Sequence, residues 1–183
     1  MQKVMVFSDA HFGHKNILKF RKGFSSIQEH DELIMENILS GVNKHDTLWL
    51  LGDMFFDRES LENMGQRIVD HCPQTHLVLG NHDTDSATRA QNVRAMTDMF
   101  QAVYGMKSKY GFWMTHCPMH PNETRGKVNI HGHVHYQTIH DPNYFNAAGE
   151  NINFRPVDIR DIRDGYRGEL YEGPEAEVIV ERK

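Results

Sequence analysis

The chain has 183 residues with 20 basic and 25 acidic side chains, so its formal net charge is −5 with histidine neutral. Hydrophobic residues make up 39% and charged residues 25%, a globular composition that excludes a disordered or collagen-like chain. The length fits a single domain over residues 1–183. Since no apolar run approaches the roughly 20 residues that cross a bilayer and no signal-peptide pattern opens the chain, we expect a cytoplasmic protein without a membrane partner.

The cysteine and histidine counts narrow the kind of site to expect. The two cysteines, Cys72 and Cys117, are too few for a disulfide framework, which favours reduced thiols. The 13 histidines are unusually many for this length. The acidic total lacks the overall basic charge of a dedicated nucleic-acid-binding protein. The positions of the histidines therefore carry most of the functional information.

Short apolar runs that end in polar, glycine-containing loops predict the first three β-strands. These runs cover residues 3–7, 47–51 and 75–79. Between them, apolar residues at three- and four-residue spacing predict helices over residues 26–42 and 59–69. This alternation favours parallel strands covered by helices.

The second half of the chain contains shorter, more closely spaced apolar runs. They predict hairpins or a second sheet, and they cover residues 100–103, 109–115, 127–130 and 144–148. A short helix over residues 159–166 and a last strand over residues 177–180 are predicted to complete the fold. We therefore expect helices layered around β-sheet.

Polar loops follow five of the predicted strands. They are Asp9-Ala10-His11, Gly52-Asp53, Gly80-Asn81-His82-Asp83, Thr115-His116-Cys117 and Gly132-His133-Val134-His135. Since ligands of open α/β sheets bind beyond the carboxyl ends of the strands, the five loops are expected to converge at one edge. In an extended loop, His133 and His135 would point to the same side.

The side chains of these loops predict a catalytic metal centre. Carboxylate, imidazole and amide groups suit Mn²⁺, Fe or Zn²⁺ better than Ca²⁺, and the absence of cysteine pairs excludes a zinc finger. Taken singly, each loop has a structural alternative, such as a helix cap at Asp9 or a turn at Gly52-Asp53. The prediction depends on all five loops occurring in this order.

The ordered set resembles the motifs of the calcineurin-like metallophosphoesterases and spans Asp9 to His135. The resemblance implies an α/β fold with four αββα layers, in which helices flank a two-layer β-sandwich of mixed sheets. It also implies two divalent metal ions at the strand ends, Mn²⁺ first and Fe, Zn²⁺ or Ni²⁺ as alternatives. The implied ligands are Asp9, His11 and His135 for the first metal, Asn81, His116 and His133 for the second, and Asp53 bridging both.

The family resemblance also implies a reaction. Two metals can clamp a phosphoryl group and activate a water, so a metal-bound hydroxide would attack a phosphodiester or phosphomonoester in line. His82 resembles the general acid of the family, and an imidazole can supply a proton to the leaving oxygen near neutral pH. The expected substrate is a small phosphoester or a nucleotide.

A cluster of basic residues follows the first metal loop. Residues 12–28 contain Lys15, Lys19, Arg21 and Lys22 and no acidic residue. This cluster is either a solvated helix face or a set of contacts to phosphates near the scissile one. On the second interpretation, the substrate contacts are His14, Arg21, Lys22 and the ligand Asn81.

Three polar residues near the motifs have open roles. Asp57 either orients His82 or caps a helix that begins near Arg58. Asp83 is an equally good candidate to orient His82. Cys117 is expected to be a packed or partly buried thiol rather than a nucleophile.

Two other functions remain open at this point. The basic cluster favours a nuclease or a nucleic-acid end-processing phosphatase, whereas the acidic total argues against it. A noncatalytic protein-interaction scaffold is the second alternative. The presence of His82 argues against a scaffold, because a scaffold has no need of a general acid.

Overall fold

The computed structural model describes residues 2–84, 86 and 90–171, and the predicted strand at 177–180 lies outside them. The strands are β1 (Val4–Phe7), β2 (Thr47–Leu50), β3 (Thr75–Val78), β4 (Ala102–Tyr104), β5 (Lys107–Lys109), β6 (Phe112–Met114), β7 (Val128–His131), β8 (Tyr144–Asn146) and β9 (Val157–Asp158). The α-helices are α1 (Ile27–Gly41), α2 (Arg58–Ser60), α3 (Gln66–His71), α4 (Asn92–Met99), α5 (Pro121–Thr124) and α6 (Ile159–Arg163). A π-helical turn at Leu61–Gly65 joins α2 to α3, and 3₁₀ turns cover Lys15–Lys19 and Gly149–Asn151.

The first sheet has the strand order β4-β3-β2-β1-β9. Strands β1 to β4 are parallel, and β9 pairs antiparallel with β1 at the edge. Helix α1 connects β1 to β2, and the α2–α3 segment connects β2 to β3, as the sequence predicts. Because β1, β2 and β3 run parallel, their carboxyl ends lie at one edge of the sheet.

The second sheet has the strand order β5-β6-β7-β8, with β5 and β6 antiparallel and the other pairs parallel. The single run predicted over residues 109–115 is wrong in one respect, because the chain reverses inside it. Tyr110 and Gly111 form the reversal with φ of 57° and 88°, as a tight two-residue hairpin requires. Their backbone conformation separates β5 from β6.

One hydrophobic core joins the two sheets. It includes Phe7 and Leu50 of the first sheet and Met114 and Ile130 of the second, all less than 1% exposed. Ile34 of α1 packs into the same cluster. The predicted α/β class, with mixed sheets flanked by helices, is therefore confirmed. No helix among the described residues combines the length and apolar character that crossing a bilayer requires.

Asp57 caps the helix that begins at Arg58. Its carboxylate accepts the backbone N–H of Ser60 at 2.8 Å, and the Ser60 hydroxyl accepts the backbone N–H of Asp57 at 3.1 Å. These reciprocal bonds form a capping box, which satisfies donors that the first helical turn leaves open. The capping interpretation of Asp57 is therefore confirmed.

We predict that Asp57→Ala lowers the free energy of unfolding by about 1 kcal/mol, because the first turn loses its side-chain acceptor. Asp57→Ser keeps an acceptor and should retain most of the stability. Urea unfolding followed by circular dichroism measures both variants. Equal midpoints for Asp57→Ala and the unmodified protein would contradict the capping role.

Candidate metal centre

The polar loops that follow strands of both sheets meet at one place. Asp9 and His11 follow β1, Asp53 follows β2 and Asn81 follows β3, all in the first sheet. His116 follows β6, and His133 and His135 follow β7, in the second sheet. A β-bridge between Ser8 and Ala148 links the two sheets beside these loops.

The loops hold one another through their backbones. The N–H of Asp9 donates to the carbonyl of Gly52 at 3.1 Å, and the N–H of His11 donates to the carbonyl of Asp53 at 3.0 Å. The pairing of β1 with β2 thus continues through the first two loops. In the second sheet, the N–H of Gly132 donates to the carbonyl of His116 at 2.9 Å.

Five of the candidate ligands have a left-handed backbone. Their φ angles lie between 49° and 71°, and the residues are Asp9, His11, Asp53, His133 and His135. This region costs a non-glycine residue roughly 1–2 kcal/mol, and such strain is concentrated at functional sites. The condition under which His133 and His135 would point to the same side, an extended loop, is not met, since both have left-handed φ angles.

Two motif glycines allow the backbone to approach the carboxylates. A Cβ atom on Gly80 would overlap the carboxylate of Asp53. A Cβ atom on Gly132 would overlap the carboxylate of Asp9 and the side chain of Ser8. Any larger residue at either position would push a candidate ligand out of place.

The ligand atoms form overlapping groups. One ligand atom each from Asp9, His11 and His135 lies within 4.8 Å of the other two. The ligand atoms of Asp9, Asp53 and His116 also lie within 4.8 Å of one another. Asp9 and Asp53 are therefore close enough to share a dinuclear centre, and the first group matches the first predicted ligand set.

Asn81 lies between two histidines on the more exposed side of the cluster. Its Oδ1 atom is 2.9 Å from Nε2 of His116 and 2.8 Å from Nδ1 of His133. His116 Nε2 is also 3.3 Å from Asp53 Oδ2. The predicted second ligand set is thus brought together beside Asp53.

The cluster fits divalent cations on two observations. Nε2 of His11 is buried and has no hydrogen-bond partner among the described residues, although it lies 3.8 Å from Asp9 Oδ1. The Nδ1 atom of His116 lies 2.9 Å from the carbonyl of Leu51, which directs Nε2 into the cluster. Nitrogen and carboxylate oxygen ligands together suit the metals expected from the sequence.

Burial and neighbouring charges shift the pKa values of the acidic and imidazole groups in the cluster. Burial raises the pKa of Asp9. Burial and the positive charge of Arg21 together lower the pKa of His11 well below its usual range. Burial opposes a charge on His116, but the hydrogen bond and charge of Asp53 raise its pKa to about 9. His11 is thus neutral and able to bind a metal, while His116 neutralises Asp53.

A sequence profile described as calcineurin-like phosphoesterase matches residues 2–174. The chain belongs to the calcineurin-like phosphoesterase family. It is 27% identical over 167 residues to the gene 66 protein of Mycobacterium phage L5, with 76% of this chain and 80% of the relative covered. It is 26% identical over 179 residues to the uncharacterized protein MJ1445 of Methanocaldococcus jannaschii, with 87% and 88% covered.

A solved structure supports the fold of this calcineurin-like phosphoesterase. The protein of unknown function AQ665 from Aquifex aeolicus superposes with a TM-score of 0.70 at 22% identity. The superposition covers 90% of this chain and 99% of that chain. At this identity the similarity concerns the fold alone.

The predicted acid, His82, and one predicted substrate contact, His14, lie beside the cluster. The backbone N–H of His82 donates to Asp53 Oδ1 at 2.9 Å, and its ring lies edge-on to His11 with centroids 5.6 Å apart. The ring of His14 lies 5.8 Å from that of His11 and stacks on Phe56 at 4.0 Å. Lys22 is exposed.

The expectation that Arg21 contacts substrate is wrong. Its side chain is fully buried, and its guanidinium donates to the Asp9 and Ala10 carbonyls and to Glu150. The sequence places Arg21 among exposed lysines, but the loop after β1 folds over it. A side chain enclosed in this way cannot reach a ligand at the surface.

The structure gives the surroundings of Asp83, whose role the sequence leaves open, and of Cys117. The carboxylate of Asp83 accepts the backbone N–H groups of Gly80 at 2.6 Å and Asp53 at 3.3 Å, so it joins two metal loops. Burial raises the pKa of Asp83 to about 7. Cys117 is exposed, whereas a packed or partly buried thiol was expected, because the chain leaves the core directly after His116.

Sequence reasoning missed Glu150. This residue is 1% exposed and accepts a hydrogen bond from Nδ1 of His135 at 2.9 Å. Glu150 follows β8. The other loops were identified because polar residues that follow strands form the site, and the same reasoning applies to Glu150. Its segment lacks a family motif, and no site residue is predicted there.

We predict that Mn²⁺ stabilises the protein, since cations relieve the burial of the Asp9 and Asp53 carboxylates. A free Mn²⁺ concentration of 100 times the dissociation constant adds about 2.7 kcal/mol to the free energy of unfolding. For a domain of this size, that gain raises the melting temperature by about 5–10 °C. Thermal unfolding with Mn²⁺ or with chelator tests this. His116→Ala should lose the shift, and His45→Ala, an exposed histidine before β2, should retain it.

A second prediction concerns the close approach at Gly132. Gly132→Ala should abolish most of the Mn²⁺-dependent shift, because the new Cβ displaces the Asp9 carboxylate. Gly105→Ala is the matched control, since a Cβ there meets no atom within 4 Å among the described residues. Equal Mn²⁺ shifts in the two folded variants would show that the approach is unimportant.

Proposed function

We propose that the protein is a dinuclear metal-dependent phosphoesterase that hydrolyses a phosphodiester or a phosphomonoester. The observation that carries this proposal is the pair of ligand groups that share Asp9, one with His11 and His135 and one with Asp53 and His116. The first group includes the buried Nε2 of His11, which has no hydrogen-bond partner within the described part of the chain. Membership of the calcineurin-like phosphoesterase family supports it. We propose Mn²⁺ as the native metal, with Fe, Zn²⁺ or Ni²⁺ as alternatives of the same ligand chemistry.

The residues have distinct roles in this proposal. When bound, two divalent cations supply positive charge that stabilises the phosphoryl group and activates water. Asp9, His11 and His135 would hold one cation, and Asn81, His116 and His133 the other. The Asp53 carboxylate, which belongs to a group with Asp9 and contacts His116, would be shared by both cations.

His82 is the proposed general acid. Its ring stands beside His11, and its backbone is bonded to Asp53, so it is positioned at the edge of the cluster. Among the described residues, His82 belongs to neither of the two ligand groups that contain Asp9. We propose that its imidazole donates a proton to the leaving oxygen.

Exposure indicates the side from which substrate approaches. Asn81 and His133 are exposed, whereas Asp9, His11 and Asp53 are each 3% exposed or less. We propose that a small phosphoester or nucleotide enters beside Asn81, with His14 and Lys22 as contacts at the rim. Since Arg21 is buried, the basic cluster is smaller than the sequence suggests, which weakens the nucleic-acid alternative.

We also propose a cytoplasmic location. Cys72 is buried and Cys117 is exposed, and both are free thiols, as a reducing compartment would keep them. Fractionation of cells that produce the native protein tests this.

The test of the activity is hydrolysis of a chromogenic bis-aryl phosphodiester beside its mono-aryl counterpart, with Mn²⁺ or with chelator. We expect turnover that requires Mn²⁺. His82→Ala should lower kcat by about 10²- to 10⁴-fold and leave the metal content unchanged, because His82 would donate a proton and bind no metal. His45→Ala is the control, since this histidine is exposed and precedes β2, at the opposite end from Asp53.

Other results would change the assignment. Normal turnover by metal-loaded His82→Ala would remove His82 from the mechanism. Absence of hydrolysis of both esters by the metal-loaded protein would favour a polynucleotide substrate or a noncatalytic scaffold. Preference for one ester would define the substrate class.

A further inference from the structure

A buried ion pair lies directly behind the metal cluster. Arg21 and Glu150 are 0% and 1% exposed, and Arg21 Nε donates to Glu150 Oε1 at 2.8 Å. Such a pair contributes little net stability, because removing two charges from water costs several kcal/mol per ion. Its contacts with the metal loops indicate a different role.

The guanidinium of Arg21 holds the first metal loop. Nη2 donates to the carbonyl of Asp9 at 2.5 Å, and Nη1 donates to the carbonyl of Ala10 at 2.9 Å. These two carbonyls belong to the two peptide units that connect the ligand Asp9 to the ligand His11. The rigid, planar fork of arginine therefore fixes the backbone between two ligands of the first metal.

Glu150 holds the third ligand of the same metal. Its Oε1 atom accepts the Nδ1–H of His135 at 2.9 Å as well as the bond from Arg21. A carboxylate on Nδ1 selects the tautomer whose Nε2 is free to bind a metal. The Asn146 amide also donates to the carbonyl of His135, at 2.8 Å.

The network is anchored in helix α1. Arg21 Nη1 lies 2.9 Å from Nε2 of His30, whose Nδ1 is 2.7 Å from Asp31 Oδ1. The other oxygen of Asp31 accepts the backbone N–H of Gly13 at 2.8 Å. His30 and Asp31 are 0% and 6% exposed, so the whole chain of contacts is shielded from water.

The ligands of the second metal have different supports. The carbonyl of Leu51 orients His116, and Asn81 lies within hydrogen-bond distance of His116 and His133. The hydrogen bonds of Arg21 and Glu150 reach two ligands of the first set, Asp9 and His135, although His133 of the second set shares a loop with His135. This asymmetry predicts that loss of the pair affects the two metal sites unequally.

We propose that Arg21 and Glu150 are positioning residues for the first metal, which hold Asp9, His11 and His135 in the geometry that binds it. This inference rests on the proposed dinuclear centre. In this proposal Arg21 supports the metal ligands from behind the site and does not contact substrate. Loss of the pair should reduce occupancy of the first site while the second site still binds metal.

The test is a titration of the metal-free full-length protein with Mn²⁺, followed by electron paramagnetic resonance. The unmodified protein should bind two ions and give the signal of a coupled pair. Glu150→Gln should weaken one site by about 10- to 100-fold and give the signal of a single ion. The matched control is Asp46→Asn, which alters a carboxylate that is 1% exposed and accepts the N–H of Lys3 before β1.

A second variant addresses the charge that Glu150→Gln leaves unpaired. Arg21→Met combined with Glu150→Gln removes both charges and should show the same selective loss. Its control is Arg67→Met combined with Glu32→Gln, which removes an exposed ion pair on α1 and α3. That control should bind two ions like the unmodified protein.

The outcomes separate this inference from the proposed function. If the double variant of Arg21 and Glu150 binds two ions as tightly as the unmodified protein does, the positioning role is overturned and the dinuclear centre stands. Equal weakening of both sites, or the same loss in Asp46→Asn, would also overturn it. Failure of the unmodified protein to bind two ions would overturn the dinuclear centre, and the positioning role with it.

Discussion

Two buried carboxylates set the constraint that the surrounding structure must satisfy. Asp9 and Asp53 end adjacent parallel strands, and both are 3% exposed or less. Burial of like charges is costly unless opposite charge and hydrogen-bond donors surround them. The His133 and His82 backbone N–H groups and the His116 ring provide part of that compensation. Divalent cations would provide the remainder, which explains why the ligand atoms converge here.

The constraint extends into the backbone. The ligands can face one point only because several of them adopt left-handed conformations and because Gly80 and Gly132 leave room for the carboxylates. The loops bond to one another, as in the contact from the Asp9 N–H to Gly52, so the strained turns are held by the ends of a rigid sheet. A site prepared in this way loses little conformational freedom when a cation binds.

The layer behind the ligands connects the metal centre to the rest of the fold. Arg21 lies between β1 and α1 in the chain, while Glu150 follows β8 in the other sheet. Their ion pair therefore crosses from one sheet to the other beneath the cluster. The geometry of His135 depends on this crossing, so Arg21, which lies before α1, and Glu150, which follows β8, both influence a ligand in the loop after β7.

The sequence by itself determined the first three strands, the first long helix and the five polar loops, because alternating strand and helix patterns place loops such as Gly52-Asp53 at one edge of a sheet. The resemblance to the phosphoesterase motifs then assigned candidate ligands within those loops. Local hydrogen bonding also made the cap at Asp57 predictable. Only the tertiary structure decided that Arg21 is buried, that Glu150 orients His135 and that Cys117 is exposed. The physical reason is that burial and pairing depend on contacts between residues as far apart as Arg21 and Glu150, which local patterns do not encode.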